Sequence, residues 1–338
     1  MPIAPDVKVF STCPPSVNAS PDAYLHQVEE IASWSEDAGC EGILVYTDNG
    51  QVDAWLVSQA IIGATRRLCP LVAVQPVYMH PYTVAKMVAS FAFLYGRRVY
   101  LNMVAGGFPN DLAALNDRTP HDQRYERLIE YTTIVQQLLS SGHAVSFSGR
   151  HYQVQNLKLT PRVPPELLPG ILLSGSSEAG MAAALHLGAT AVEYPKPAAE
   201  YTGAAAKRAG TAGIRIGIIA RSGDADAWRV AHERFPPDRR GQLAHELAMK
   251  VSDSSWHRQL SELGDAATDE HNPYWLVPFK NYKTFCPYLV GSYSRVAQAL
   301  AGYVAAGYRT FVLDVPADAA ELQHIGAAFG AAAESLAA

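Results

Sequence analysis

Short apolar runs alternate with amphipathic segments along most of the chain. The runs are continuously apolar rather than alternating in polarity, as expected for parallel strands that are covered on both faces. They predict strands at residues 7–11, 42–46, 71–74, 99–103, 171–173, 191–193, 214–220 and 310–314.

The segments between these runs have helical periodicity. Ser20 precedes Pro21 as an N-cap precedes a first-turn proline, and Gly39 follows the end of that segment. Eight strands with interleaved helices favour an α/β fold of the TIM (β/α)8 barrel type, with insertions. A doubly wound open sheet has the same periodicity and remains the alternative.

Two regions interrupt this alternation. Residues 141–169 are predicted to form an extended hairpin, and residues 240–291 an insertion between the seventh and eighth strands. Long irregular segments in a compact domain often form lids or binding elements. We expect a single TIM-barrel domain over residues 1–338 that carries these two insertions.

The composition of the chain argues against several classes of function. The 338 residues are 49% hydrophobic and 17% charged, with a formal net charge of -5, which argues against nucleic-acid binding. No secretory leader is recognisable, and no apolar run approaches the roughly 20 residues that span a bilayer, so we expect a cytoplasmic protein that does not bind membranes. The cysteines form no C-x-x-C pair and the histidines no H-x-H or H-x-x-x-H pair, so no metal site is predicted.

A turn of small residues follows the fifth predicted strand and begins a helix. Gly175, Ser176 and Ser177 would present backbone N–H groups, hydroxyl donors and the positive end of a helix dipole, which together suit a phosphate. Serine also caps helices where no ligand is bound, so simple N-capping is the alternative.

A second group of polar residues follows the fourth predicted strand. Asn102 lies near the end of that strand, where its amide can bond the edge of a heteroaromatic ring. His121 and Tyr125 are four residues apart and share one helical face. The alternatives are a capping or surface histidine and a core tyrosine. Gln75 follows the third strand, where it borders either a ligand or a simple turn.

In combination these motifs resemble a known family. The order L-N-M-V-A-G-G at 101–107, H-D-Q-R-Y-E-R at 121–127, F-S-G-R-H-Y at 147–152 and L-S-G-S-S-E-A at 173–179 is similar to that of the bacterial-luciferase-like flavin monooxygenases. Within this family it is most similar to the alkanesulfonate monooxygenase branch. The resemblance extends from about residue 39 to about residue 314.

The resemblance implies a TIM barrel that assembles as a homodimer or homotetramer. It also implies a reaction in which reduced FMN, supplied by a separate NAD(P)H-dependent flavin reductase, reacts with O2 to oxidise a small organic substrate. Carried over residue by residue, the cofactor-binding positions are Asn102, Ala105, His121, Tyr125, Gly175, Ser176 and Ser177.

The substrate-facing positions depart from the alkanesulfonate pattern. Arg215 matches an arginine that the family places at the active site. Gln51 stands where the branch has a cysteine, Gly217 where it has a histidine, and Tyr194 where it has a tryptophan. We therefore predict that Arg215, Gln51 and Tyr194 are catalytic but act on a different substrate. Arg215 could instead satisfy a buried structural carboxylate.

The aromatic-rich segment 271–288 is the predicted substrate lid. Its aromatic residues have no strand or helix periodicity, and Lys280 and Lys283 lie close to the place of a mobile-loop arginine in the branch. Together with Arg215 they could capture an anionic substrate. The alternative is that both lysines are solvated surface residues.

The sequence thus predicts an FMN-dependent two-component monooxygenase. The same fold also suits a deazaflavin-dependent oxidoreductase, although the H-D-x-R-Y and G-S-S motifs favour FMN. A flavin-binding protein without activity is a further alternative, and the long insertion argues against it. A TIM-barrel hydrolase would lack the metal-ligand spacing that it needs.

Overall fold

We describe the chain from a computed structural model, which covers residues 6–17, 19–106, 109–201, 211–251, 260, 261, 263 and 272–337. Within residues 248–251 only the backbone is described. The chain divides into two compact units. The amino-terminal unit comprises Cys13–Ala32 and Gly42–Ala191, and the carboxyl-terminal unit comprises Met1–Thr12, Ser33–Glu41 and Val192–Ala338.

The central sheet contains the strands that the sequence predicts. They are β1 (Lys8–Thr12), β2 (Gly42–Val45), β3 (Cys69–Val74), β4 (Tyr100–Met103), β7 (Ile171–Ser174), β8 (Thr190–Glu193), β9 (Ala212–Arg221) and β12 (Tyr308–Leu313). Each strand lies within about two residues of its predicted place. All four residues of β2 and nine of the ten in β9 are buried, as the apolar runs require.

The strand order closes the sheet into a barrel. The order is β9-β12-β1-β2-β3-β4-β7-β8, and an additional pairing joins β9 to β8. The fold is therefore a parallel eight-stranded barrel with surrounding helices, which confirms the predicted TIM architecture. The open-sheet alternative is wrong, because such a sheet would leave its two outermost strands unpaired.

The helices of the described residues lie between these strands and after the last of them. They are α1 (Pro21–Asp37), α2 (Ala54–Ala64), α3 (Pro81–Tyr95), α4 (Pro109–Ala114), α5 (His121–Ser140), α6 (Glu178–Leu187), α7 (Asp224–Arg234), α8 (Arg239–Val251), α9 (Val277–Lys280), α10 (Tyr293–Ala305) and α11 (Ala319–Ala337). Local signals set their ends. The Asp53 carboxylate accepts the N–H groups of Trp55 and Leu56, each at 3.0 Å, and so begins α2.

The predicted hairpin is present in the amino-terminal unit. Strands β5 (Val145–Ser148) and β6 (Gln153–Leu157) pair antiparallel. The Glu130 carboxylate on α5 accepts the backbone N–H groups of Arg150, His151 and Tyr152 at 2.8, 2.8 and 3.0 Å. One side chain on a helix therefore holds the turn between the two strands.

Two strands in the carboxyl-terminal unit were not predicted. Strand β10 (Tyr274–Trp275) pairs antiparallel with β11 (Tyr288–Ser292). Strand β11 runs parallel to the second half of β9, whose first half pairs with β12. Part of the region predicted as an insertion therefore extends the sheet. Around it lies a core of Ile219, Ala227, Trp228, Ala231, Phe235, Trp275, Cys286, Tyr288 and Val290.

Candidate functional site

Three neighbouring strands of the amino-terminal unit end in polar side chains. Asn102 is 6% exposed, and its Oδ1 accepts a hydrogen bond from Ser174 Oγ at 2.9 Å. Ala73 pairs with Asn102 across β3 and β4, so Gln75, two residues further along, continues the same face. Gln75 Nε2 is buried and makes no hydrogen bond among the described residues. This edge could therefore donate amide hydrogen bonds to a polar ring.

The turn after β7 gives its two serines different roles. Ser177 is the N-cap of α6, and its Oγ accepts the Gly180 N–H at 3.1 Å. Ser177 therefore caps the helix, as the alternative of simple N-capping requires. Ser176 does not cap the helix: its Oγ is buried and makes no hydrogen bond among the described residues. A buried hydroxyl without a partner is costly, so it indicates a place for a missing polar group.

Tyr125 lies directly over this turn. A methyl group built on Gly175 would lie 2.5 Å from Tyr125 Oη, and one on Gly180 would lie 3.1 Å from it. Gly175 also has φ +156°. Only glycine permits this approach of the tyrosine to the start of α6. The residues that are predicted to bind the phosphate therefore lie close together in this unit.

His121 and Ala105 complete the predicted cofactor set. The His121 ring contacts Tyr125 edge-on, with centroids 5.2 Å apart, and its Nδ1 lies 2.7 Å from Asp122 Oδ1. Ala105 is 4% exposed just beyond β4. Gly106 has φ +116° and packs against Leu112, while Gly107 lies outside the described residues.

The side chain of Gln51 makes hydrogen bonds that connect two loops. Its Oε1 accepts from Ser16 N at 2.7 Å and from Ser16 Oγ at 2.9 Å. Ser16 Oγ in turn accepts the Val52 N–H at 2.8 Å. The Gln51 side chain thus joins the loops that follow β1 and β2, and its predicted catalytic role remains a prediction.

Arg215 belongs to a charge-balanced cluster in the carboxyl-terminal unit. Its Nη2 lies 3.8 Å from Asp314 Oδ1. Asp314 Oδ2 accepts from Thr284 Oγ1 at 2.5 Å and from Tyr288 Oη at 2.8 Å. Burial raises the pKa of Tyr194, and the charge of Arg215 and a hydrogen bond with it oppose that rise. This geometry supports the alternative that Arg215 balances a structural carboxylate.

Tyr288 was missed at the sequence level. A methyl group on Gly217 would lie 2.3 to 2.5 Å from three carbons of the Tyr288 ring, which is 1% exposed. The ring thus fills the space beside the position where the resembling branch has a histidine. In the sequence, only Gly217 indicated this contact, because a glycine at that position leaves room for another side chain. Asp314 and Ser174, each at a strand end, were missed as well.

The predicted lid is packed inside its own unit. Tyr274, Trp275 and Phe279 are each no more than 4% exposed. Lys283 Nζ lies 2.6 Å from Asp238 Oδ2, and Lys280 ends α9. Tyr274, Trp275 and Phe279 therefore belong to the core of the unit, whereas Tyr282 is exposed, and the predicted lid role of the segment remains a prediction. Capture of a substrate by the two lysines remains a prediction.

The described residues include neither a metal-ligand cluster nor a membrane-spanning helix. They hold no group of three or more histidine, cysteine, aspartate or glutamate side chains that could ligate a metal ion. No helix among them has the length and apolar character to cross a membrane.

Comparison with known proteins identifies the family. The luciferase-like monooxygenase family matches residues 7–310. The monooxygenase BtrO of Niallia circulans, which is named for 4-(gamma-L-glutamylamino)butanoyl-[BtrI acyl-carrier protein], is 36% identical over 296 residues, or 86% of each chain. The chain therefore belongs to the luciferase-like monooxygenases and is an enzyme of that type.

Solved structures with low identity share the fold. The oxygenating constituent of 3,6-diketocamphane monooxygenase from Pseudomonas putida, in complex with FMN, has a TM-score of 0.70 at 16% identity and covers 97% of this chain and 98% of its own. An F420-dependent secondary alcohol dehydrogenase has a TM-score of 0.63 at 15% identity, with 96% and 99% covered. The fold alone thus accommodates either cofactor.

Proposed function

We propose that the chain is a two-component monooxygenase that takes reduced FMN from a separate NAD(P)H-dependent reductase. With O2 it would oxidise a small acyl group held as a thioester. The observation that carries the FMN assignment is the buried Ser176 hydroxyl, which has no hydrogen bond and lies beside Gly175 at the start of α6. A 5′-phosphate would satisfy it.

The residues of the amino-terminal unit fit FMN by their chemistry. Ser176, Ser177 and the first N–H groups of α6 would hold the phosphate, with Tyr125 and His121 beside them. The amides of Asn102 and Gln75 would bond the edge of the ring, with Ala105 next to them. When bound, reduced FMN supplies the electrons that activate O2.

The acyl-carrier-protein substrate for which BtrO is named and the Arg215 cluster favour a thioester as the substrate class. Because Asp314 already balances the charge of Arg215, the cluster suits an uncharged carbonyl better than a free anion. Arg215 and Tyr194 would then orient the acyl group by hydrogen bonds, and Gln51 remains a predicted third member of the catalytic set. The proposed assembly is a homodimer or homotetramer, which sedimentation equilibrium would establish.

Replacing the two serines one at a time tests the phosphate assignment. Ser176→Ala removes a hydrogen bond to a charged group, which is worth about 1.5–3 kcal/mol, so FMN affinity should fall about tenfold or more. Riboflavin lacks the phosphate, and its affinity should stay unchanged. Ser177→Ala should mainly destabilise the fold, by about 1 kcal/mol through the lost cap. An equal loss of riboflavin and FMN affinity in Ser176→Ala would refute the assignment.

A further inference from the structure

Three polar side chains form a row where β3, β4 and β7 end in the amino-terminal unit. Asn102 pairs with Ala73 on one side and with Leu172 on the other. Gln75 and Ser174 each lie two residues beyond one of these partners, so they share the face of the sheet that carries Asn102. The side chains of Ser174, Asn102 and Gln75 are called here the amide row.

Ser174 determines which atom Asn102 presents to a ligand. Its Oγ donates to Asn102 Oδ1 at 2.9 Å. Asn102 is almost wholly buried, so its amide has little room to turn over. Because the hydroxyl occupies the amide oxygen, the N–H groups of Asn102 Nδ2 are left for another acceptor. Ser174 is thus a positioning residue, which makes Asn102 a donor towards a ligand.

Gln75 supplies a second amide donor. Its side chain is 5% exposed, and its Nε2 is buried without a hydrogen bond among the described residues. A buried donor of this kind is costly, so it indicates the place of a missing acceptor. The segments 69–79, 100–106 and 171–177, which carry the amide row, contain no charged residue. Along these segments, the row therefore offers a ligand hydrogen bonds without a formal charge.

A flavin ring changes its charge when it is reduced. The oxidised ring is neutral, whereas the fully reduced ring loses its N1 proton near neutral pH and carries a negative charge over N1 and the C2 carbonyl oxygen. Hydrogen bonds to a charged acceptor are roughly twice as strong as those between neutral groups. N–H donors at this edge of the ring therefore stabilise the reduced flavin more than the oxidised one.

We propose that the amide row selects the reduced, anionic form of the flavin, with Gln75 and Asn102 as donors and Ser174 as the positioning residue. The inference rests on the proposed function, which supplies FMN as the cofactor. Oxidised FMN is then held less tightly and returns to the separate reductase. If Gln75 only ended β3, its loss would weaken both redox states of the flavin equally.

The variant Gln75→Met tests this selection, because methionine has a similar length and no N–H donor. The measurement is the Kd of oxidised FMN divided by the Kd of reduced FMN, the latter determined anaerobically. We expect this ratio to fall about fivefold, the difference between a charge-assisted and a neutral hydrogen bond. Ser174→Ala should lower it as well. The matched control is Gln136→Met, which removes an amide that donates to the Leu187 carbonyl at 3.0 Å and should keep the ratio.

Riboflavin separates the amide row from the phosphate turn. Because the row would bond the ring, Gln75→Met should lower the ratio for riboflavin by the same factor as for FMN. Ser176→Ala should instead weaken both redox states of FMN alike and keep the ratio.

The outcomes distinguish the selection from the cofactor assignment. An unchanged ratio in Gln75→Met would overturn the selection, and an unchanged ratio in Ser174→Ala would overturn the positioning role. If Gln75→Met does not fold, Ser174→Ala decides. Wild-type protein that binds FMN with a ratio of one would overturn the selection alone, whereas wild-type protein that binds neither redox state would overturn the proposed function with it.

Discussion

At the residue scale, two glycines determine where tyrosines can lie. Gly175 allows Tyr125 to approach the start of α6, and Gly217 leaves space for the ring of Tyr288. The sequence showed both glycines, and the family resemblance showed that Gly217 departs from the pattern. It could not show which side chain fills the space, because Tyr288 is distant in sequence and reaches Gly217 only through the pairing of β11 with β9.

Filling the space at Gly217 should destabilise the protein. In Gly217→Ala the added methyl group meets the buried Tyr288 ring, so the free energy of unfolding should fall by about 1–3 kcal/mol. Denaturant unfolding measures this change. Gly223→Ala is the matched control, since a methyl group there meets nothing within 4 Å, and it should change stability by less than about 0.5 kcal/mol. Equal stabilities of the two variants would contradict the packing described here.

Asp117 should make stability depend on pH. Burial alone would raise its pKa, but hydrogen bonds from Arg127 Nη2 at 2.7 Å and from Thr119 outweigh burial and lower the pKa to about 2. A depressed pKa in the folded state gives stability that is present above about pH 4 and is lost as the pH falls towards 2.

The variant Asp117→Asn isolates this effect. It should unfold more easily than the wild type at pH 7, by about 1–2 kcal/mol, and the difference should shrink as the pH approaches 2. Denaturant unfolding at several pH values measures the difference. A difference that stays constant with pH would show that the carboxylate charge has no part in it.

At the element scale, the β5–β6 hairpin depends on a residue outside it. The sequence predicted the hairpin from its turn and its two short strands. It did not predict Glu130, because that side chain lies on the preceding helix and its partners are backbone N–H groups. The sequence also missed β11, whose short apolar run follows a segment rich in prolines and aromatics.

Glu130→Gln should loosen the hairpin. An amide has one acceptor oxygen and no charge, so it cannot replace a carboxylate that accepts three N–H groups. We expect a loss of about 2–3 kcal/mol in the free energy of unfolding and faster hydrogen exchange over residues 145–157. Glu126→Gln breaks only an exposed pair with Arg150 at 3.2 Å and should have almost no effect. Similar hydrogen-exchange rates in both variants would argue against this role of Glu130.

At the scale of the whole molecule, the sequence predicted the barrel because eight apolar runs reflect eight buried strands. It also predicted a turn of small residues that begins a helix, at the place where we propose that the phosphate binds. It could not separate Ser176 from Ser177, because only the structure shows that one serine caps α6 while the other is buried without a partner. Nor could it foresee that Asp314 balances Arg215, as that pair depends on the neighbouring strands β9 and β12.

We propose that the whole enzyme uses reduced FMN and O2 to insert oxygen into a substrate. The most direct test mixes the protein and photochemically reduced FMN with ¹⁸O2 and a set of acyl thioesters, followed by mass spectrometry. We expect tighter binding of reduced than of oxidised FMN, and a product that carries one atom of ¹⁸O. Release of all the oxidising equivalents as hydrogen peroxide with no labelled product, or turnover that needs reduced F420 and no O2, would contradict it.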